Sequence, residues 1–336
     1  MNMNSKALLA AAGIAAFAFS PAYAGEGGSD LTKPGALIGA SAGVPPPGIY
    51  MFDQVFTYQS NLVGPGTAAL NPPGTRQTGV QAAVDVQGFL FVPGWTFLGG
   101  TYDFVFVQPF IQQDVGSPAN AQASGMFNTI LINELAWKLG TSGFAVKTGV
   151  SVGIPDGTTT GANKLGNVAN PYWTFQPELI LSYLKDGWNL SVAVYDEINT
   201  ENTLTHYTTG NQLHADFTAT KTIGKWTFGP VAYFDGQITD DSCPISCQAF
   251  YGTQETLLHA QRTSVWAVGG LLGYDFGPAN VSIWATQEVS AKASNAAAAA
   301  LAADPSTTTQ GTTVFATLSY RIWAPEAPTQ PAMYHK

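Results

Sequence analysis

Residues 172–198 read YWTFQPELILSYLKDGWNLSVAVYDEI, and this stretch decides the fold class. Large apolar side chains occupy every second position over 173–183, and polar residues stand between most of them. The alternation returns over 188–194, after the turn sequence Lys-Asp-Gly at 185–187. A period of two indicates β-strands, and a short Asp-Gly turn between two such runs predicts a β-hairpin.

The same alternation continues outward from this hairpin in both directions. Twelve such segments are found, at roughly residues 49–60, 79–92, 101–112, 126–139, 144–154, 172–184, 188–198, 213–223, 226–238, 263–276, 280–290 and 312–323. Many are as long as the roughly 9–11 residues of a tilted transmembrane strand, and short turns alternate with long loops between them. We therefore predict an all-β fold, a single transmembrane antiparallel up-and-down β-barrel of about 12 strands.

The amino-terminal sequence predicts the compartment. Lys6 precedes an apolar run over 7–19, and a small-residue cleavage site ends at Ala24, which is typical of a cleaved secretory signal peptide. An uncleaved anchor helix is the weaker alternative. The predicted segments are a signal peptide (1–24), an irregular N-terminal arm rich in Gly, Pro and Ser (25–47), the barrel (48–323) and a Pro-rich C-terminal tail (324–336). The predicted location is the cell outer membrane, and the sequence leaves open whether the arm enters the lumen as a plug.

The amino-acid composition limits which kinds of partner the protein can have. Charged residues are 10% of the chain, against roughly 25% in typical globular proteins, and no run of about 18 apolar residues follows the signal peptide. The formal net charge of −9 argues against nucleic acid, whose binding needs a basic surface. We expect the lipid bilayer of the outer membrane and small-molecule solutes as partners, and the oligomeric state is not readable from the sequence.

If the apolar strand faces meet lipid, the opposite faces line the lumen. Those faces carry Asp85, Gln87, Asp103, Glu134, Lys147, Gln176, Glu178, Glu197, His214, Asp216, Tyr233, Asp235, Gln237, Glu288 and Arg321. Acids outnumber bases, and because unpaired carboxylates are costly in a dry interior, a wet, cation-favouring conduit is predicted. The residues expected to set its selectivity include Asp85, Glu178, Asp216 and Asp235. The alternative is a closed polar network that only stabilises the barrel.

Two cysteines, Cys243 and Cys247, lie four positions apart. In an oxidising compartment this spacing favours a local disulfide. A metal site is the weaker alternative because two cysteine ligands are too few and the four histidines show no ligand spacing near them. We predict no cofactor and no metal.

Catalytic motifs are scarce. Residues 149–153, Gly-Val-Ser-Val-Gly, match the nucleophile-elbow pattern, but that motif works at a strand-to-helix turn and Ser151 falls within a predicted strand. An outer-membrane hydrolase with His206 or His214 as its base lacks a serine nearby in sequence. The chain is therefore predicted not to be an enzyme.

Four short motifs border the long loops in the second half of the chain. They are NKLGN at 163–167, NPYWTFQP at 170–177, NTEN at 199–202 and QITDD at 237–241. In this order and spacing they resemble the outer-membrane protein family named for the meta-pathway of phenol degradation, over roughly residues 45–323. The resemblance implies a transporter-like β-barrel that takes up aromatic or other hydrophobic compounds.

The motifs supply a set of candidate loop residues. These are Asn163, Asn167, Asn170, Trp173, Asn199, Glu201, Asn202, Asp240 and Asp241. Their polar side chains are expected to join the loops by bonds to the backbone, or else to line a polar mouth. The predicted function is an outer-membrane channel or transporter for small molecules, including aromatic and hydrophobic ones. The alternatives are a structural or surface-binding barrel with a closed lumen and an outer-membrane enzyme such as a lipid hydrolase.

Overall fold

The computed structural model describes residues 30–67, 79–116, 120–160, 167–247, 261–296, 304 and 306–325. The predicted signal peptide and most of the predicted tail lie outside these residues. The strands in chain order are β1 (Gly48–Val63), β2 (Gly79–Val92), β3 (Thr96–Phe97), β4 (Gly100–Val115), β5 (Ala121–Met126), β6 (Thr129–Lys138), β7 (Phe144–Ile154), β8 (Thr174–Lys185), β9 (Trp188–Asn199), β10 (Gln212–Ile223), β11 (Trp226–Gln237), β12 (Gln261–Asp275), β13 (Ala279–Asn295) and β14 (Thr308–Trp323). Within these ranges, no helix is long and apolar enough to cross a membrane.

The strands form one closed antiparallel barrel. Each long strand pairs with its neighbours in sequence, β1 also pairs with β14, and β2 pairs with β4. The two-residue β3 only flanks the beginning of β4. Since β5 and β6 both pair with β4, at opposite ends of that strand, they share one position in the wall. The barrel therefore has twelve positions, and the predicted fold class is confirmed.

The hairpin of β8 and β9 shows how the sequence produces this wall. The strands pair with Leu179 opposite Val194, and their turn uses Asp186 (φ 53°) and Gly187 (φ 78°). Two consecutive positive φ angles give the type I′ turn, whose twist matches that of the flanking strands. Leu179 is 43% exposed on the outside, whereas its neighbour Glu178 is buried on the inside.

One wall position contains a break that the sequence pattern did not predict. A continuous strand was expected over 126–139, but β5 ends at Met126 and β6 begins at Thr129. Between them, the Asn128 amide donates to the backbone oxygens of Ile154 (2.7 Å) and Asn170 (2.9 Å). The segment after β7 is therefore bonded to the wall by a side chain where strand pairing stops.

Six of the eight tryptophans lie at or next to strand ends, whereas Trp266 and Trp284 are within β12 and β13. Exposed examples are Trp95, Trp173, Trp188, Trp226 and Trp323. Amphipathic indole rings favour the boundary between hydrocarbon and headgroups, as in the aromatic girdles of outer-membrane barrels. The outer surface therefore has the apolar band and the flanking rings that a bilayer requires.

The arm before β1 lies inside the barrel. Residues 30–47 form turns rather than strands, with Ala36 N donating to Lys33 O (2.9 Å) and Ala40 N to Leu37 O (3.0 Å). Ile38 packs in one apolar cluster with Phe56, Val84, Val231, Leu271, Trp284 and Phe315. A backbone without strand partners must find other acceptors for its buried N–H groups, and the barrel wall provides them.

Candidate functional site in the barrel lumen

Carboxylates of the wall bind the backbone of the arm. Asp216 on β10 accepts from Gly35 N through Oδ1 and from Leu37 N through Oδ2, both at 2.9 Å. Glu197 on β9 accepts from Leu31 N at 2.7 Å. Hydrogen bonds to a charged acceptor are shorter and stronger than neutral ones. The two acids therefore act as anchors for a chain segment that has no sheet partner.

A third carboxylate, Glu288 on β13, joins the arm to side chains and backbone of nearby strands. It accepts from Tyr58 Oη (3.0 Å), Tyr233 Oη (2.6 Å) and Gly311 N (2.6 Å). The ammonium of Lys33, from the arm, is 4.0 Å from Glu288 Oε1 and 4.7 Å from the centre of the Tyr58 ring. The arm thus brings a cation to a buried acid and packs it against aromatic faces.

A second charged network lies in the lumen close to the short turns of the barrel. It is formed where the neighbouring strands β4, β6, β7 and β8 run side by side. Lys147 Nζ is 3.0 Å from Glu134 Oε2 and 3.3 Å from Asp103 Oδ2, and all three side chains are buried. Glu178 is buried on the neighbouring strand. Because one lysine serves several acids, the network depends on this single ammonium group.

A third group surrounds His214, which has no exposed surface. Its Nδ1 is 3.2 Å from Asp235 Oδ1, and its ring stacks on Tyr195 at 4.8 Å between centroids. Asp30 of the arm is buried against the same group at 5% exposure. Burial, followed by repulsion from Asp235, raises the pKa of the Asp30 carboxyl well above its usual range.

The other side of the lumen contains an apolar cavity of about 160 Å³. It lies between the arm and the inner faces of β1, β2, β4 and β6. The lining is mostly aliphatic and aromatic, with Phe56, Ala82, Val84, Val107 and Ile130 among its residues. Polar side chains, among them Asp30, Lys33 and Gln54, occupy part of its border.

The orientation of β2 corrects the expectation for two residues. Asp85 and Gln87 were expected in the lumen, but the cavity is lined by Val84 and Val86 from the same strand. Since side chains alternate along a strand, the two polar residues lie on the outer face, where Gln87 Nε2 is 3.5 Å from Asp85 Oδ2. The prediction failed because the apolar face of β2 packs towards the cavity and the arm instead of lipid.

Other predicted luminal residues are placed as follows. Buried side chains are those of Asp103, Glu134, Lys147, Gln176, Glu178, Glu197, His214, Asp216, Tyr233, Asp235, Gln237 and Glu288. Arg321 is exposed at the end of β14, where it donates to the carbonyl oxygen of Pro47 and lies over the Tyr50 ring. It thus holds the arm at the point where the chain enters β1.

The loop-motif residues bond mainly within and between the long loops. Asp241 accepts from Gly210 N (2.7 Å) and Tyr207 Oη (2.5 Å), and Asn199 Oδ1 accepts from Thr174 Oγ1 (2.7 Å). Further contacts are Asn167 Oδ1 with Thr160 N (2.7 Å), Asn170 N with Asn128 Oδ1 (2.7 Å), Asn202 Oδ1 with Leu204 N (3.0 Å), Glu201 with His206 (2.6 Å) and Asp240 with Arg262 (2.8 Å). Trp173 is 44% exposed, and Asn163 lies outside the described residues.

Cys243 and Cys247 are joined by a disulfide and pack against Tyr207 in the same group of loops. Ser151 lies within β7 on a buried face, not at a strand-to-helix turn. The residues that sequence reasoning missed are those of the arm, above all Asp30 and Lys33. The charges on these two residues, in a segment otherwise rich in Gly, Pro and Ser, were the available signal.

The closed barrel, the apolar outer band and the luminal arm define a class: the chain is an outer-membrane β-barrel. Within that class it belongs to the family described as "Putative MetA-pathway of phenol degradation", whose profile matches residues 53–302. The resemblance drawn from the loop motifs is thereby confirmed. No curated protein matches the chain in sequence.

One solved structure shows the same architecture, and two others are less similar. An outer membrane channel from Pseudomonas putida F1 has a TM-score of 0.66 at 11% identity, covering 84% of this chain and 98% of that one. The β domain of the Bordetella autotransporter BrkA has a TM-score of 0.45 at 11% identity, covering 82% and 100%. A FadL homologue from Pseudomonas aeruginosa has a TM-score of 0.41 at 9% identity, covering 90% and 95%. At 11% identity, the likeness to the Pseudomonas putida channel supports the fold and no finer property.

Proposed function

We propose that this protein is an outer-membrane channel for small hydrophobic molecules, including aromatic ones, and that solutes bind in the apolar cavity beside the arm. The observation that supports this proposal most directly is the cavity itself. Its volume of about 160 Å³ is close to the roughly 150 Å³ of an apolar protein cavity that binds benzene. A single aromatic ring therefore fits the space and the chemistry of the lining.

The family and its structural relatives agree with this proposal. The family description names phenol degradation, and the Pseudomonas putida relative is an outer membrane channel. The apolar side of the lumen gives such a solute a surface to pack against. A hydrolase has less support, because Ser151 is placed within a strand and the exposed His206 is bonded to Glu201.

The acids of the lumen have a different role in this proposal from the one expected from sequence. Asp216 and Glu197 bind the arm, and Glu288 bonds to Tyr58, Tyr233 and Gly311. They are therefore anchors first, and they contribute to cation preference only where a water-filled path runs beside them. We expect a low conductance for ions in planar bilayers while the arm lies in the lumen.

Two neighbouring alanines of β2 give a matched test. Ala82 lines the cavity, and Ala83 lies on the outer face of the same strand. Ala82→Trp fills the cavity with an indole ring, whereas Ala83→Trp adds the same ring to the lipid side. We expect Ala82→Trp to lower phenol binding and uptake by about tenfold or more, because a loss of roughly 2 kcal/mol of apolar burial exceeds a factor of ten.

The measurements are phenol binding to the purified barrel in detergent and uptake of labelled phenol by intact cells that carry it. Ala83→Trp is expected to match the wild type in both. Equal uptake by cells with and without the barrel would support the closed-barrel alternative instead. Equal binding by the two variants would place the solute elsewhere in the lumen.

A further inference from the structure

Three buried side chains from three segments meet at the outer end of the arm, which is the end that begins at Asp30. Asp30, Glu197 and His214 each offer one ligand atom, and these atoms all lie within 4.8 Å of one another. The exposures of the three residues are 5%, 1% and 0%. This grouping joins the arm to β9 and β10, and Asp30 also borders the apolar cavity.

Two members of the group have polar atoms that form no well-aligned hydrogen bond. Neither carboxylate oxygen of Asp30 has one in the part of the chain that the structure describes, and neither ring nitrogen of His214 makes a well-aligned bond there. Buried polar groups are nearly always paired, because leaving them unpaired costs on the order of 1–3 kcal/mol each. Such atoms, gathered within 4.8 Å of one another and of a Glu197 oxygen, favour a site for a positively charged ligand.

The surrounding contacts orient the group as a binding site would. Asp235 faces Nδ1 of His214, so that Nε2 is the nitrogen left to bind a ligand. Glu197 is held by Leu31 N and by Gln176 Nε2 (3.1 Å). Because Leu31 follows Asp30 directly, this bond also fixes the Asp30 backbone against the wall.

The donor set selects the ligand. One imidazole and two carboxylates form a mixed nitrogen and oxygen set, which suits Zn²⁺ and similar divalent transition ions and leaves a position for water. Calcium and magnesium prefer sites built entirely from oxygen. A bound divalent cation would also offset the acids that crowd this part of the lumen.

We propose that Asp30, Glu197 and His214 form a binding site for a divalent transition-metal ion, and that the ion fastens the outer end of the arm to the barrel wall. This goes beyond the channel function and does not depend on it. The sequence concealed the site, since Asp30 is more than 160 positions from the other two ligands, and Glu197 and His214 stand on different strands 17 positions apart. The expectation of no metal rested on the lack of a local ligand spacing.

The test uses the full-length mature barrel, treated with a chelator and titrated with Zn²⁺ in detergent. We expect the wild type to bind one ion, and Asp30→Asn and His214→Gln to lower the affinity by about a hundredfold. Asp235→Asn is expected to lower it by roughly tenfold to a hundredfold, as for other residues that orient a ligating histidine. His206→Gln is the matched control, because His206 also pairs with an acid, Glu201, but is exposed.

A second readout reports the geometry directly. Co²⁺ bound to the wild type should give the visible absorption of a tetrahedral site, and the Asp30→Asn variant should not. Heat-modified gel mobility shows that each variant has formed its barrel, which separates lost binding from lost folding. Absence of stoichiometric Zn²⁺ binding by the wild type would overturn the proposal. So would unchanged affinity in folded Asp30→Asn, because the ion would then not involve the arm.

Discussion

The two sides of this lumen are built from the same kind of strand, but they make different contacts with the arm. From β8 to β10 most inner side chains are acids, amides, hydroxyls or imidazole, and they bind the arm through its backbone, as Asp216 and Thr218 do. On β1, β2, β4 and β6 most inner side chains are apolar, and a cavity remains beside the arm. One side anchors the arm, and the other leaves room for a solute.

The difference follows from what an irregular segment needs. Residues 30–47 make only a few turn bonds among themselves, so most of their buried N–H groups depend on side-chain acceptors. Once the polar side supplies these acceptors, the other side can remain apolar at no cost in unpaired groups. The apolar side is therefore possible because the N–H groups of the arm find their acceptors on the strands of the polar side.

The largest effect is expected where the two sides meet, at Lys147. Lys147→Met removes the ammonium between Asp103 and Glu134 and leaves buried acids without their cation. Removing one partner of a buried ion pair typically costs about 3–5 kcal/mol. The free energy of unfolding in urea, measured in lipid vesicles, should fall by this amount.

Lys221→Met is the control for that change. Lys221 lies near the end of β10 with its ammonium over the Trp188 ring at 4.9 Å, in a more exposed setting. Its loss should cost no more than about 1 kcal/mol. Similar losses for both variants would mean that the Lys147 network is far more solvated than its burial indicates.

A smaller effect is expected at the main anchor of the polar side. Asp216→Asn keeps one acceptor oxygen but turns an amide NH₂ towards the second arm N–H, so one charge-assisted bond is lost. This loss corresponds to about 1.5–3 kcal/mol, or a roughly tenfold to hundredfold faster hydrogen exchange at Gly35 and Leu37. Asp196→Asn, on the outer face of β9, should leave these amides unchanged.

How far the sequence predicts the fold can be judged from β8 and β2. On β8 the apolar residues face lipid and the polar ones face the lumen, so period, turn and barrel followed directly from the pattern. On β2 the period was right but the direction was wrong for Asp85 and Gln87. Alternation gives two faces, and only the packing partner, here the arm, decides which of them is inside.

The candidate site was predictable in composition and not in arrangement. Glu197, His214 and Asp216 were expected in the lumen from their positions on strands. Their partners in the arm were not, because Asp30 and Leu31 are more than 160 positions away and carry no periodic signal. Contacts between an irregular segment and a sheet depend on the folded path of the chain, which local patterns do not encode.

The smallest effects are expected from a reciprocal exchange between the two sides. Val84→Thr puts a hydroxyl into the apolar cavity, and Thr218→Val removes the acceptor of Gly39 N, which is now bonded at 2.9 Å. Each change keeps the side-chain shape and should cost about 1 kcal/mol. Val84→Thr should weaken phenol binding without altering exchange at Gly39, and Thr218→Val should do the reverse. If either variant changed both measurements equally, the two sides would not act independently, and the arm would have to move when a solute binds.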